Sequence, residues 1–129
     1  MRSAAPRVRV LLADVAPAVR SGATSIGWHI FNDGDAPIVI RGTVAPDPQF
    51  QSVAATTSLE IAPQATGRLE VQFALGHRDI GSEFKDARLI LDAELAGVRW
   101  LVISTLEGRF GPGGVVLPRT AETHVERAP

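Results

Sequence analysis

The chain has three histidines, His29, His77 and His124, and a zinc or copper centre would need them to converge with carboxylates. Alternation puts His29 in an extended segment, on the face opposite Trp28. His77 falls in a polar loop and His124 near the C-terminus, so the three read as separate, solvated or locally hydrogen-bonded rings. Glu122, His124 and Glu126 alternate and could clasp a metal if extended, but the polar composition of 120–129 points to a mobile tail. Asp33 and Asp35 flank Gly34 and offer turn oxygens of the kind calcium takes. Calcium needs about six to eight oxygens, and this stretch lacks the third spaced acid and closing glutamate of an EF-hand. Asp47 could join them across a loop end, yet turn formation alone accounts for both aspartates. Ser25, Ser82 and Ser104 are present without a Gly-x-Ser-x-Gly elbow. Gly111-Pro112-Gly113-Gly114 is glycine-rich, but no Lys-Ser/Thr pair follows, so it is not a phosphate loop. Asp92 and Glu94 share one strand face beside Arg88 and read as a solvated face, since a glycosidase pair would need a cleft. With no cysteine, disulfides and thiolate metal sites are excluded. The residues assign no catalytic, cofactor-binding or metal site, no cofactor is expected, and the chain is read as not an enzyme.

The elements that carry these residues are extended. The stretch 32–38, Asn-Asp-Gly-Asp-Ala-Pro-Ile, sets turn-formers between two β-prone runs, where Asn, Asp and Gly tolerate positive φ and proline fixes its own. Segments 7–15, 25–31, 37–44, 68–75, 86–95 and 98–105 alternate or run apolar as strands do, with weaker segments at 50–53 and 58–61. In 68–75, Leu69, Val71, Phe73 and Leu75 alternate with Arg68, Glu70, Gln72 and Ala74, the pattern of a strand half buried and half wet. Ala96-Gly97 is a two-residue hairpin connection. Residues 98–105 are apolar on both faces, which places that strand inside a sheet. Leu106 to Phe110 could extend it and 115–117 could add an edge strand, while 76–85 reads as a long loop. No helical period is sustained. About seven strands punctuated every ten residues or so make an all-β, Ig-like, two-sheet antiparallel β-sandwich. Its expected core is Trp28, Ile30, Ile40, Leu69, Val71, Phe73, Leu89, Leu91, Trp100 and Val102. The organisation is a leader at 1–6, one domain at 7–117 and a flexible polar tail at 118–129.

Size and charge narrow the partners. The chain has 129 residues, 45% apolar and 21% charged, with a net charge of −1, which suits one domain with a single core. Its 13 basic residues are scattered and only Lys85 is lysine, so the basic face and stacking aromatics of a nucleic-acid binder are missing. Arg2, Arg7 and Arg9 precede Val10-Leu11-Leu12-Ala13, but Asp14, Pro17 and Arg20 end the apolar run too early for a signal peptide. No run approaches the ~20 residues of a membrane helix. The expectation is a cytoplasmic protein with no membrane partner, or a secreted or periplasmic one that has lost a signal peptide.

Several landmarks occur in order: Asn32-Asp33-Gly34-Asp35 before Ala36-Pro37-Ile38-Val39-Ile40, Phe50 after a proline-broken loop, Leu59-Glu60-Ile61-Ala62-Pro63, Gly67-Arg68-Leu69-Glu70-Val71-Gln72-Phe73, and Ala87-Arg88-Leu89-Ile90-Leu91. Over about residues 8 to 110 the chain resembles the Ig-like sandwiches of the major-sperm-protein and ASH type and related bacterial Ig-like adhesion or CARDB-like domains. It departs from them at Gln64-Ala65, where they carry glycine directly after the proline, and at Ala74-Leu75-Gly76 after Phe73. The resemblance implies a non-enzymatic protein-binding or structural module and transfers no ligand residue. The residues themselves name a candidate interaction surface, the apolar side chains Phe31, Val39, Ile90, Leu101 and Ile103 on faces turned from the core, for a protein partner or a homo-oligomer. Two alternatives are carbohydrate or small-ligand binding through Trp28, Trp100 or His29, and a metal-dependent enzyme.

Overall fold

The computed structural model describes residues 5–17, 23–47, 51–74, 81–110 and 118–129. The described residues form eight strands and no helix: β1 (Val8–Pro17), β2 (Ala23–Asn32), β3 (Ile38–Ala45), β4 (Ser52–Ile61), β5 (Thr66–Ala74), β6 (Glu83–Leu95), β7 (Val98–Arg109) and β8 (Arg119–Arg127). Two antiparallel sheets result, one ordered β1-β2-β5 and the other β4-β3-β6-β7-β8. β4 flanks β5 along one side of the sandwich, and β1 flanks β8 along the other. The chain crosses between sheets at β2–β3, β4–β5 and β5–β6, so β2 pairs with β5 while β3 pairs with β6. That interlock ties each sheet to distant parts of the sequence, and it closes one apolar interior.

Alternation chooses what enters that interior. Val10, Ile26, Trp28, Ile30, Val71 and Phe73 come from one sheet, and Ile38, Ile40, Leu89, Leu91, Ala93 and Val102 from the other. All ten expected core residues are buried, nine of them in this cluster; Trp100 is 8% exposed and sits outside it. Trp28 meets Phe73 edge to face, with ring centroids 6.4 Å apart and planes at 64°, the arrangement that aromatic quadrupoles favour.

Three expectations need correction. Residues 118–129 hold strand β8, whose Val125 pairs with Val102 and whose Thr123 pairs with Ser104. Thr123 and Ser104 also join hydroxyl to hydroxyl at 2.9 Å. The sequence signal was weak because β8 is an edge strand carrying one large apolar residue, Val125; its backbone is held by the β7 ladder rather than by its own hydrophobicity. Residues 52–53 and 58–61, expected in separate segments, are likewise parts of one strand, β4, joined through Ala54-Ala55-Thr56-Thr57, residues with no strong alternation. β6 starts at Glu83, earlier than its alternation suggested, because the register shifts between Phe84 and Ala87 and Asp86 takes φ 60°. Such a bulge breaks the period of two. Residues 1–4 of the leader expected at 1–6, Phe50, His77, Gly111-Pro112-Gly113-Gly114 and the 115–117 segment lie outside the described residues.

The β6–β7 hairpin closes at Ala96-Gly97, with Leu95 opposite Val98. Both turn residues have positive φ, 51° and 79°, as the twist of a two-residue hairpin demands. Alanine is strained there, whereas asparagine enters this region readily. Ala96→Asn is therefore expected to stabilise the fold by about 0.5–1 kcal/mol. A rise of roughly 2–4 °C in Tm is the corresponding readout; an unchanged or lower Tm would contradict it.

Candidate interaction surface

The outer face of the five-stranded sheet is built by a bulge. Ile38 and Ile40 point inward, and then the β3 register shifts between Ile40 and Gly42. From there Thr43 and Ala45 face the core, and Val44 turns outward. Val44 lies opposite Ile90 on β6, Ile90 opposite Ile103 on β7, and Ile103 opposite His124 on β8. A single cross-strand row results, and such neighbours sit within about 5 Å of one another at Cβ. Leu101 occupies the next row, between Asp92 and Glu126. Val39 is on the same face, between Glu60 and Glu94.

Ion pairs border this stripe. Arg41 reaches Glu94 at 3.3 Å and Arg99 reaches Asp92 at 2.8 Å. Asp47 accepts the Arg88 backbone N–H at 2.8 Å. Glu122, His124 and Glu126 are exposed along the outer side of β8. Exposed pairs of this kind contribute little to stability; their effect is to give an apolar strip a polar margin. Val39, Val44, Ile90 and Leu101 are half-buried, and Ile103 is only 8% exposed.

Four of the five residues singled out from sequence thus share one face, while Phe31 does not. Phe31 is on the outer face of the three-stranded sheet, opposite Arg9 and Thr66. The Arg9 guanidinium stacks over its ring at 4.5 Å, and His29 is tilted beside it at 6.1 Å. Val44 was missed because uninterrupted alternation from Ile38 points it inward, and only the bulge reverses it. The acidic margin was missed because β8 was read as a tail.

The residues that suggested chemistry are spread over the molecule. His29 and His124 sit on outer faces of different sheets, and among the described residues no three His, Cys, Asp or Glu side chains gather as a metal site would require. Both Asp33 oxygens are taken by Arg9, at 2.6 and 3.0 Å. That hydrogen-bonded pair lowers the Asp33 pKa below the ordinary carboxylate value. Among the described residues Asp35 pairs with Arg7, at 3.9 Å, and Asp47 is engaged by Arg88 past the other end of β3. Hydrogen bonding to Arg68 lowers the pKa of Asp14, and hydrogen bonding to Arg109 that of Glu83. A shallow depression at the far end of β6 and β7 is lined by Glu83, Lys85, Glu107, Arg109 and Arg119. Its carboxylates are paired, Glu83 with Arg109 at 2.5 Å and Glu107 with Arg119. Neither indole offers a stacking face, since Trp28 is 0% and Trp100 8% exposed.

The turn at 32–36 acts as a staple. Asn32 is 1% exposed. Its Nδ2 donates to the carbonyls of Ala36 at 2.9 Å and Ile61 at 3.0 Å, and its Oδ1 accepts from Gly34 N–H at 3.0 Å. Ala65 N–H donates to Ala62 O at 3.1 Å, closing the turn after β4 with Gln64 at φ 61°. This is the position where the resembled domains carry glycine. Gln64 is anchored there by its own side chain, whose Nε2 donates to the carbonyls of Asp33 at 3.0 Å and Gly34 at 2.9 Å. No helix of the described residues is long and apolar enough to cross a membrane. Compared with protein-family models, curated proteins and solved structures, the chain matches none.

Proposed function

We propose that this chain is a non-catalytic β-sandwich module that works by binding another protein through the outer face of its five-stranded sheet. The supporting observation is the alignment of Val44, Ile90 and Ile103 as direct cross-strand neighbours, on a face turned from the core and flanked by Leu101 and Val39. A strand face with no partner is free to be polar at every position. Here the middle of the sheet is apolar and its border is charged, as in interfaces that desolvate a centre and leave a wet rim.

The test places a photo-crosslinking residue at Val39 or Leu101, and in a control at Gln72 on the outer face of the other sheet, in cells of the source organism. The expected result is a discrete protein adduct from the first two positions and none from Gln72. Adding Leu101→Glu to the Val39 probe should reduce that adduct at least about tenfold, since a buried charge in a contact centre costs more than 1.4 kcal/mol. Equal labelling from all three positions, or none, would reject the reading.

A further inference from the structure

The outer face of the five-stranded sheet carries more acid than its own bases hold. Its arginines are taken: Arg41 by Glu94, Arg88 by Asp47, Arg99 by Asp92 and Arg119 by Glu107. Glu60, Glu122 and Glu126 are exposed and, among the described residues, hold no ion pair. Register places all three on this face. Glu60 lies opposite Val39, Glu122 opposite Thr105 and Glu126 opposite Leu101. They fall on both sides of the Val44–Ile90–Ile103 row, because Glu60 is on β4 and the other two are on β8, the outermost strands of the sheet. Neighbouring strands are about 4.8 Å apart, so four steps set these margins about 19 Å apart, and the apolar residues of β3, β6 and β7 span about 10 Å between them.

We infer that the occupant of this face is an amphipathic helix of another protein, its apolar stripe edged on both flanks by lysine or arginine; the inference rests on the contact face proposed above. β3, β6 and β7 are each paired on both sides, so the apolar field has no free row of backbone N–H and C=O groups to offer. An extended segment laid across it would lose water from its own backbone and gain no bond in return. A helix satisfies its backbone internally, and its diameter of about 10–12 Å fits between the margins. An apolar stripe at i, i+3, i+4 and i+7 can cover Val44, Ile90, Leu101 and Ile103. Long basic side chains on its flanks then reach Glu60 on one side and Glu122 and Glu126 on the other. A second copy of this chain is the wrong partner. Packed face to face, two copies would bring their unpaired acids together while the arginines of the face are already engaged. A phosphate-rich surface is repelled by the same margins.

The test uses the photo-crosslinking residue at Leu101, with mass spectrometry to sequence the partner segment it joins. The expected segment has an apolar period of 3.6 residues with Lys or Arg on both flanks. Glu122→Gln with Glu126→Gln should lower the adduct about fivefold, and adding Glu60→Gln about twofold more, the size expected for exposed ion pairs. Asp14→Asn with Glu70→Gln changes the charge by as much on the outer face of the other sheet, and should leave the adduct unchanged. Parental circular dichroism and Tm in the purified variants show that the fold is kept. An adduct that persists undiminished in the triple variant would overturn the helix inference and leave the contact face standing. So would an adduct that joins Leu101 to an extended or acidic segment, or to a second copy of this chain. No adduct at Leu101 would reject both.

Discussion

Asn32→Ala is expected to lower the unfolding free energy by about 3 kcal/mol, although it removes only a small amide at the rim of the sandwich. The amide bridges two turns that are far apart in sequence. Its Nδ2 serves the carbonyls of Ala36 and Ile61, with a third, longer contact to Ala62 at 3.3 Å. Without it, the buried Ile61 carbonyl and the part-buried Ala36 carbonyl lose their donor, and the part-buried Gly34 N–H loses its acceptor. Leaving such groups unpaired costs more than the bonds gained on folding, because each was stripped of water to get there. Asn32→Asp keeps the shape and exchanges the donor for an oxygen facing those carbonyls. At neutral pH it should be at least as damaging as alanine. Denaturant melts read both variants; a loss under about 1 kcal/mol would show that the turns are held by their backbones alone.

Trp28→Ala should cost about 3–5 kcal/mol, a large share of the roughly 5–15 kcal/mol that separates a domain of this size from its unfolded chain. The indole is fully buried at the middle of β2, packed edge-on to Phe73 and flanked by Ile26 and Ile30 on the same face. Removing it opens a void that neighbouring rigid strands close only in part. Trp28→Phe should cost clearly less. It keeps an aromatic ring, and it deletes an indole N–H that has no acceptor among the described residues, so part of the lost packing is offset by removing an orphaned donor. Calorimetry that ranks the phenylalanine variant equal to the alanine variant would contradict this account of the core.

The legibility of the surface followed the same physics. Ile90 and Leu101 could be assigned to the outer side from sequence because β6 and β7 keep a strict period of two around Leu91 and Val102. Val39 could be assigned because it precedes the bulge. Val44, beyond the bulge, could not, since one inserted residue reverses every side chain after it. Phe31 was grouped with the others because alternation says only that a residue faces away from the core. It carries no information about which of two sheets it faces away from.

Side-chain alternation, the turn chemistry at 32–36, and the Ala96-Gly97 hairpin are local, and they were sufficient for the all-β class, the strands richest in large apolar residues and the large side chains at the centre of the core. The partner of each strand was not local. That β2 meets β5, that β3 meets β6, and that residues 119–127 become the eighth strand are decided by which apolar faces can close on one another and which ladder has a free side. Ala54, Ala55, Thr56 and Thr57 have no strong preference of their own, and only the tertiary fold makes them an exposed edge. A residue's own chemistry sets its preference for burial or extension, whereas sheet membership depends on backbone hydrogen bonds to segments tens of residues away, which no short window of sequence contains.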